Sequence, residues 1–385
     1  MGKLILFFTL FILTATSFGQ NVKVSDYQVP VSTAKIFRLS GFYNFNQTTN
    51  DSATTVLNNS ASATAFFRYF YSSLPFAWFI DVDATGGKNF DEFNHDISIR
   101  PSIRKYFSNE SDFFGFGALS LRHANTYKQI ASDLTVGGGY GRYINATALA
   151  KAVRIEEHLK RENVITGFLP KNTMIAIANI IEREDEYRGV FGDTYEKEWY
   201  EAIEGEIKAS GMLTGNSLGA IGILRTQQVL KSINERVNER YYGWDLTLGV
   251  QFNLSRFDKS ETRAPALSVG GRYSHPISWQ SQVNAFFSVS TPMDSTFFKD
   301  VIGQAEIDYI YELSNRINFV AAYRINYIVP NIGDSYADQY VDASFIFYLE
   351  NNINLGVNAS LAKFGSNFNN RTDIRTSISL QYNLF

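Results

Sequence analysis

Apolar and polar residues alternate with a period of two along most of the chain, the pattern of strands with one apolar and one polar face. Phe76, Trp78, Ile80 and Val82 form one series, and Asp81 and Asp83 interrupt the other. Ile97, Ile99 and Ile103 alternate in the same way with Asp96, Arg100 and Arg104. Further upstream, Phe37, Leu39, Tyr43 and Phe45 oppose Arg38, Ser40 and Asn44, and Phe67, Tyr69 and Tyr71 share one side of the next segment. Residues 35–144 are thereby expected to hold six strands and residues 240–385 eight more. Each is close to the roughly 9–11 residues that a tilted membrane strand needs. The fifth and sixth are glycine-rich, notably at Gly137, Gly138 and Gly139, where a strand makes room for another group.

The period changes over residues 145–239. Leu149, Ala152, Val153, Ile155 and Leu159 have helical spacing over residues 147–161, with charges filling the other face. Pro170 interrupts, and Ile177, Ile180 and Ile181 carry a second helix over residues 173–187. Asp193 with Glu196 is the expected capping pair of a third helix ending at Ala209. A fourth runs from Ser217 toward Glu239. The acidic run Glu182, Glu184, Asp185 and Glu186 reads as a solvated helix face or, alternatively, as a partner-docking surface.

Connections between the strands are expected to alternate. Short ones fall near Ser73, Asn109, Ile277, Ser314 and Asn351, and long polar ones near Asp51, Gly87, Thr126, Asp258, Asp294, Gly333 and Asn367. Tight periplasmic turns and longer external loops are the asymmetry of outer-membrane barrels. An even number of strands puts both termini, and the helical segment with them, on the periplasmic side.

Composition narrows the class. The chain carries 32 Phe and 22 Tyr at a slightly negative mean hydropathy, a combination that lipid-facing aromatics alternating with polar lumen residues produce. A net charge of −3 supplies no basic field for nucleic acid. Zero cysteines exclude disulfides, thiol nucleophiles and thiolate metal sites. Residues 1–20 have the form of a signal peptide, with Lys3, an apolar run over residues 4–13, and small residues at Ser17 and Gly19. Cleavage is expected after Gly19 or Gln20. Residues 21–34, which include Pro30, follow as a periplasmic lead-in or small plug. No later stretch reaches the ~18 apolar residues of a spanning helix.

The ending Ser17-Phe18-Gly19-Gln20, the aromatic alternating strands and the terminal Phe385 resemble outer-membrane β-barrel proteins of the Bacteroidota type. The resemblance implies a Gram-negative outer membrane, with lipopolysaccharide around the barrel, and a C-terminal aromatic that addresses the chain to barrel assembly. Phe385 stands one residue out of step with Ile378, Leu380, Tyr382 and Leu384. Asp51-Ser52-Ala53 and Asp294-Ser295-Thr296 resemble that group's short O-glycosylation signal. The resemblance covers the strand tracts and leaves residues 145–239 without a recognised family.

The expected architecture is a membrane all-β barrel of about fourteen antiparallel strands with an inserted small α-helical domain that is periplasmic. Its lumen-facing charges are Arg38, Arg68, Asp81, Asp83, Asp96, Arg100, Arg104, Asp245, Glu306, Asp308, Glu312, Arg316, Arg324, Asp342 and Arg375. Rows of both signs either line a weakly selective aqueous pore or form a salt-bridged interior that stiffens a closed barrel. No catalytic set is expected: Ser120 and His123 fall on opposite faces, as do His95 and Asp96. Neither histidines nor carboxylates show metal-ligand spacing, and no cofactor is expected. The function expected is a pore or channel for small polar solutes, capped or gated by the helical domain. The alternative is a non-conducting scaffold or accessory subunit of an assembly, secretion or surface complex, docking a protein partner through residues 145–239. A barrel hydrolase is the most remote reading.

Overall fold

The computed structural model describes residues 20–382, apart from 29–31, 51–52, 74, 91, 109, 233–234, 350–352 and 367–368. The segment 1–19, Pro30, the Asp51-Ser52 pair, Leu384 and Phe385 lie outside these residues, and with them most of the signal-peptide and C-terminal expectations.

Fourteen strands make one antiparallel sheet in which every strand pairs with its neighbours in sequence. Six precede the helices: β1 (Ser32–Asn50), β2 (Ala53–Ser72), β3 (Phe76–Asn89), β4 (Glu92–Tyr106), β5 (Phe113–Ala124) and β6 (Ala131–Asn145). Eight follow: β7 (Tyr241–Ser255), β8 (Ala266–Pro276), β9 (Ser281–Pro292), β10 (Val301–Ser314), β11 (Ile317–Val329), β12 (Tyr336–Tyr348), β13 (Ile353–Ser366) and β14 (Asn369–Tyr382). The period-two pattern is therefore realised as strands along its whole length.

Register carries the alternation across the sheet. From β8 to β14 one row runs Ser274, Asn284, Asp308, Ala322, Asp342, Ser360, Arg375. The adjacent row, on the other face, runs Tyr273, Ala285, Ile307, Tyr323, Val341, Leu361, Ile374. A one-residue slip anywhere would exchange the faces. The apolar face is open: Leu246, Leu248, Ile307 and Ile378 are all exposed, Ile378 by 76%. Among the described pairings none joins β1 to β14, so these two are the sheet's edges.

The expected alternation of short and long connections needs correction. Long links remain near Asp258, Asp294 and Gly333, but Gly87 lies inside β3, and β1–β2 and β13–β14 pair as far as Asn50 with Ala53 and Ser366 with Asn369. Those Asn-, Thr- and Ser-rich segments carry backbone groups that pair whether or not the side chains are apolar, so the hairpins extend. At 19 residues, β1 would reach roughly 65 Å at about 3.4 Å per residue, well beyond an apolar membrane band of about 25 Å.

Between β6 and β7 stand α1 (Thr147–Arg161), α2 (Lys171–Glu182), α3 (Glu184–Phe191), α4 (Tyr195–Ala209) and α5 (Gly219–Leu230). The expected second helix divides at Arg183, where ψ turns to 23°. Glu184, Asp185 and Glu186 then occupy the first turn of α3, where negative charge complements the helix dipole. The Asp193–Glu196 capping pair does not form. Thr194 precedes α4 without a side-chain cap, Asp193 lies in a 3₁₀ turn, and Glu196 pairs with Lys231. The last helix stops at Leu230, short of the expected Glu239.

The helices share one core, in which Leu149, Ile155, Leu159, Met174, Ile177, Trp199, Ile203 and Ile207 are fully buried. Trp199 donates its indole N–H to the Ile180 carbonyl at 2.9 Å. The N-terminal segment joins this core through Val22, Val24 and Tyr27. Asp26 pairs with Lys171 at 2.6 Å, and the Asn21 amide donates to the Leu169 carbonyl. This lead-in is thus a strap on the helices.

Candidate functional site: the polar face and the helical block that covers it

Of the charges expected to face a lumen, all except Arg316 sit on one face of the sheet by register. Arg316 is the correction. It lies exposed in the β10–β11 turn, displaced by the irregularity between Glu312 and Ser314. Arg38 opposes Phe66 in register. Arg122 and Arg272 belong to the same face although the sequence reading passed over them; their signal is a polar series at period two, Ser120 with Arg122 about Leu121 and Arg272 with Ser274 about Tyr273.

These charges pair along the wall. Arg68 grips Asp81 through two bonds of 2.6 and 2.9 Å, Arg100 meets Asp83, and Arg122 grips Asp96 at 3.0 and 2.5 Å. On the other side Arg324 binds Glu306 at 2.7 Å, and Arg375 lies 3.7 Å from Asp373. The most buried wall carboxylate is Asp245. It accepts from Arg104, three strands away across β5 and β6, at 2.9 Å and from Arg272 at 3.0 Å. A polar chain continues from Tyr143 through Ser274 and Asn284 to Asp308, in steps of 2.7, 2.6 and 2.7 Å.

Arg104 can cross β5 and β6 because those strands carry little side chain there. The Phe114 ring lies flat over Gly139, and Arg104 stacks 4.3 Å above that ring. A Cβ on Gly139 would fall 2.3 Å from Phe114 Cζ and 2.6 Å from the Leu246 carbonyl oxygen. We therefore expect Gly139→Ala to cost about 1–3 kcal/mol through overpacking. The check is the temperature at which the folded, fast-migrating band disappears on SDS gels; an unchanged midpoint would refute the packing account.

The two ends of the polar face differ. Near the loops it is open, with the Arg122 and Asp96 side chains 54% and 37% exposed. Near the turns it is sealed: Ser274, Gln282, Glu312 and Asn318 are all buried. The helical block is what seals it. α1 is buried nearly all round, including Arg154, Glu156 and His158, so the helix face expected to be merely charged is an interior one.

Arg154 reaches across to Glu312 of β10 and also meets Glu235 and Glu157, each at 3.3 Å. Arg240, 0% exposed, donates to the second Glu312 oxygen at 2.7 Å and to the Trp279 carbonyl at 3.1 and 3.0 Å. Asn238 adds a bond to Glu312 and another with Asn318. His158 and Glu235 share a 2.7 Å bond. Burial alone would raise the Glu235 carboxyl, but the bond with His158 and the charges of His158 and Arg154 hold it below the usual range. Burial draws the Arg240 guanidinium down despite Glu312. Glu157 is pushed up by burial, against the opposing charge of Arg154, with Glu312 and Glu235 adding to the rise.

A second contact falls on the far side of the sheet. Asp185 of α3 accepts the backbone N–H of Lys35 in β1 at 3.2 Å. Laid flat, β1 and β10 would stand nine strand spacings apart, roughly 43 Å at about 4.8 Å each. Yet Lys151 feels the charge of Glu184, beside Asp185, and Arg154 lies one helical turn beyond Lys151. The sheet therefore curls around the block.

The acidic run is largely committed inside the block. Glu184 accepts from Tyr195 at 2.9 Å, Lys231 at 3.0 Å and Arg188 at 3.0 Å. The Lys231 ammonium is held above its usual range by Tyr195 and Glu184 although burial opposes it. Of the four acids Glu186 is exposed. Asp294 accepts from the Thr296 N–H and hydroxyl at 2.7 and 2.6 Å, so this Asp-Ser-Thr sequence closes a turn. Among the described residues no helix is long and apolar enough to cross a membrane, and no group of three or more metal-ligating side chains is gathered.

No family model matches the chain, and no curated protein matches it. Among solved structures it is similar to the CymD monoaromatic hydrocarbon channel, at 10% identity over 92% of this chain and 89% of that one, with a TM-score of 0.30. It is similar to the TodX monoaromatic hydrocarbon channel deltaS2 mutant at 9% identity, covering 94% and 90%, with a TM-score of 0.30. For the Pseudomonas putida toluene transporter TodX the identity is 11%, the coverage 94% and 89%, and the TM-score 0.29.

Proposed function

We propose that β1 and β14 close the sheet into an outer-membrane barrel that conducts small polar solutes. The helical block caps it on the turn, periplasmic, side. The observation that carries this reading is the single helical block bound at β1 through Asp185 and at β10 through Arg154. A sheet curled that far, with exposed Phe37, Leu39 and Tyr43 on one edge strand and Ile374, Ile378 and Leu380 on the other, satisfies its edge backbone groups most simply by self-closure. Its apolar face then meets lipid and its salt-bridged face encloses water. Wall pairs of opposite sign predict weak ion selectivity.

Replacing residues 147–235 by a short turn is expected to convert a mostly closed protein into a steadily conducting one in planar bilayers. Equal, near-zero conductance of both proteins would exclude the capped channel. The scaffold reading draws on the outer surface of the block, where Val190, Ile221 and Leu224 are exposed. It expects that silent outcome.

A further inference from the structure

Two histidines that the channel reading leaves unused meet on the apolar face near the loop ends of β4 and β5. His123 stands opposite Ile97, so His95 is its diagonal neighbour. The rings lie 15° from parallel with centroids 5.2 Å apart, and His95 Nε2 is 3.0 Å from His123 Nδ1. Phe93 stacks with His95, and Tyr127 packs edge-on to His123. The β3 residue opposite His95 is Gly86, where a Cβ would approach nothing closer than Phe93 Cζ at 3.7 Å. On that flank the Phe93 ring takes the place of a β3 side chain.

We propose that His95 Nε2 and His123 Nδ1 together ligate a divalent late transition-metal ion, with water completing its coordination. Two imidazole nitrogens at about 2.0–2.1 Å from one ion, at right angles, stand about 3 Å apart. The nitrogens already have that separation; the rings face each other across it, and a turn of each about its Cβ–Cγ bond brings both lone pairs onto the ion. In the metal-free pair one proton lies between the two nitrogens. In the neutral pair that proton is one ring's N–H; on binding it moves to the same ring's other nitrogen, so both rings ligate as neutral imidazoles and no proton is released. Imidazole donors suit copper, nickel and zinc, and copper(II) binds tightest of the three. Asp96 is on the opposite face, held by Arg122, so the ion keeps exchangeable water.

The test is copper(II) titration of the full chain purified in detergent, followed by calorimetry and electron paramagnetic resonance. One copper per chain with two coordinated nitrogens is expected. His95→Gln and His123→Gln should each weaken binding at least tenfold, and lowering the pH from 8 to 5 should weaken it because protons compete with the ion for the two nitrogens. His275→Gln, at the exposed histidine of β8, should leave it unchanged. Both positions face outward, so the variants retain the folded band on SDS gels. A double variant that binds copper like the unaltered protein, or a spectrum without nitrogen coupling, would overturn the assignment.

Discussion

Glu312→Gln is expected to loosen the helical block from the sheet and to raise conductance toward that of the block-deleted protein. Glu312 is 4% exposed and serves two guanidinium groups at once, Arg154 from α1 and Arg240 from the segment entering β7. Arg154 keeps Glu235 and Glu157 after the change. Among the described residues Arg240 keeps no charged partner, only neutral acceptors: the carbonyls of Trp279 and Glu239 and the amide oxygen that the substitution leaves. Breaking a buried pair from one side leaves an uncompensated charge and costs about 3–5 kcal/mol. That penalty is relieved when Arg240 reaches water, which requires the seal near β9 and β10 to part. Limited proteolysis of the folded protein is the second readout, with new cuts expected in residues 231–240. A variant with unaltered conductance and an unaltered digestion pattern would show that the ion pairs do not hold the block.

The second large effect concerns Glu156, 1% exposed on α1. One of its oxygens accepts the Leu169 N–H at 2.6 Å, while the other is buried without a hydrogen-bond partner among the described residues. Burial, the leading cause, lifts its pKa from 4.5 to about 7, with the Leu169 bond opposing. A carboxyl raised in the folded state contributes stability that is fully present below the unfolded value and is lost as pH rises through the folded one. The window is thus pH 4.5 to 7, and the loss above it is at most about 3 kcal/mol. Glu156→Gln keeps the acceptor for Leu169 and never ionises. Its helices, followed by circular dichroism, should melt higher than the unaltered protein's at pH 8 and alongside them at pH 4. An equal gap at both pH values would assign the effect to packing instead of charge.

Residue periodicity alone was enough to locate all fourteen strands, because a strand's two faces are written two residues apart and need no knowledge of the partner strand. It also located the helical segment, and the charges it named for one face do share a face of the sheet except Arg316, which a local irregularity carries into a turn, while Arg122 and Arg272 went unnamed. Loop lengths were misjudged where polar hairpins go on pairing, since backbone hydrogen bonds leave no trace in side-chain hydropathy. Arg154, His158, Glu235 and Arg240 had no signal at all. On a helix or beside a strand, such residues look like a solvated surface.

What the sequence determined by itself was the set of strands and the chemistry of each face, because these depend on neighbours within a few residues. What the tertiary structure decided was where the helical block sits and that Glu312 anchors it, because Arg154 and Glu312 are 158 residues apart and meet only when the sheet curls.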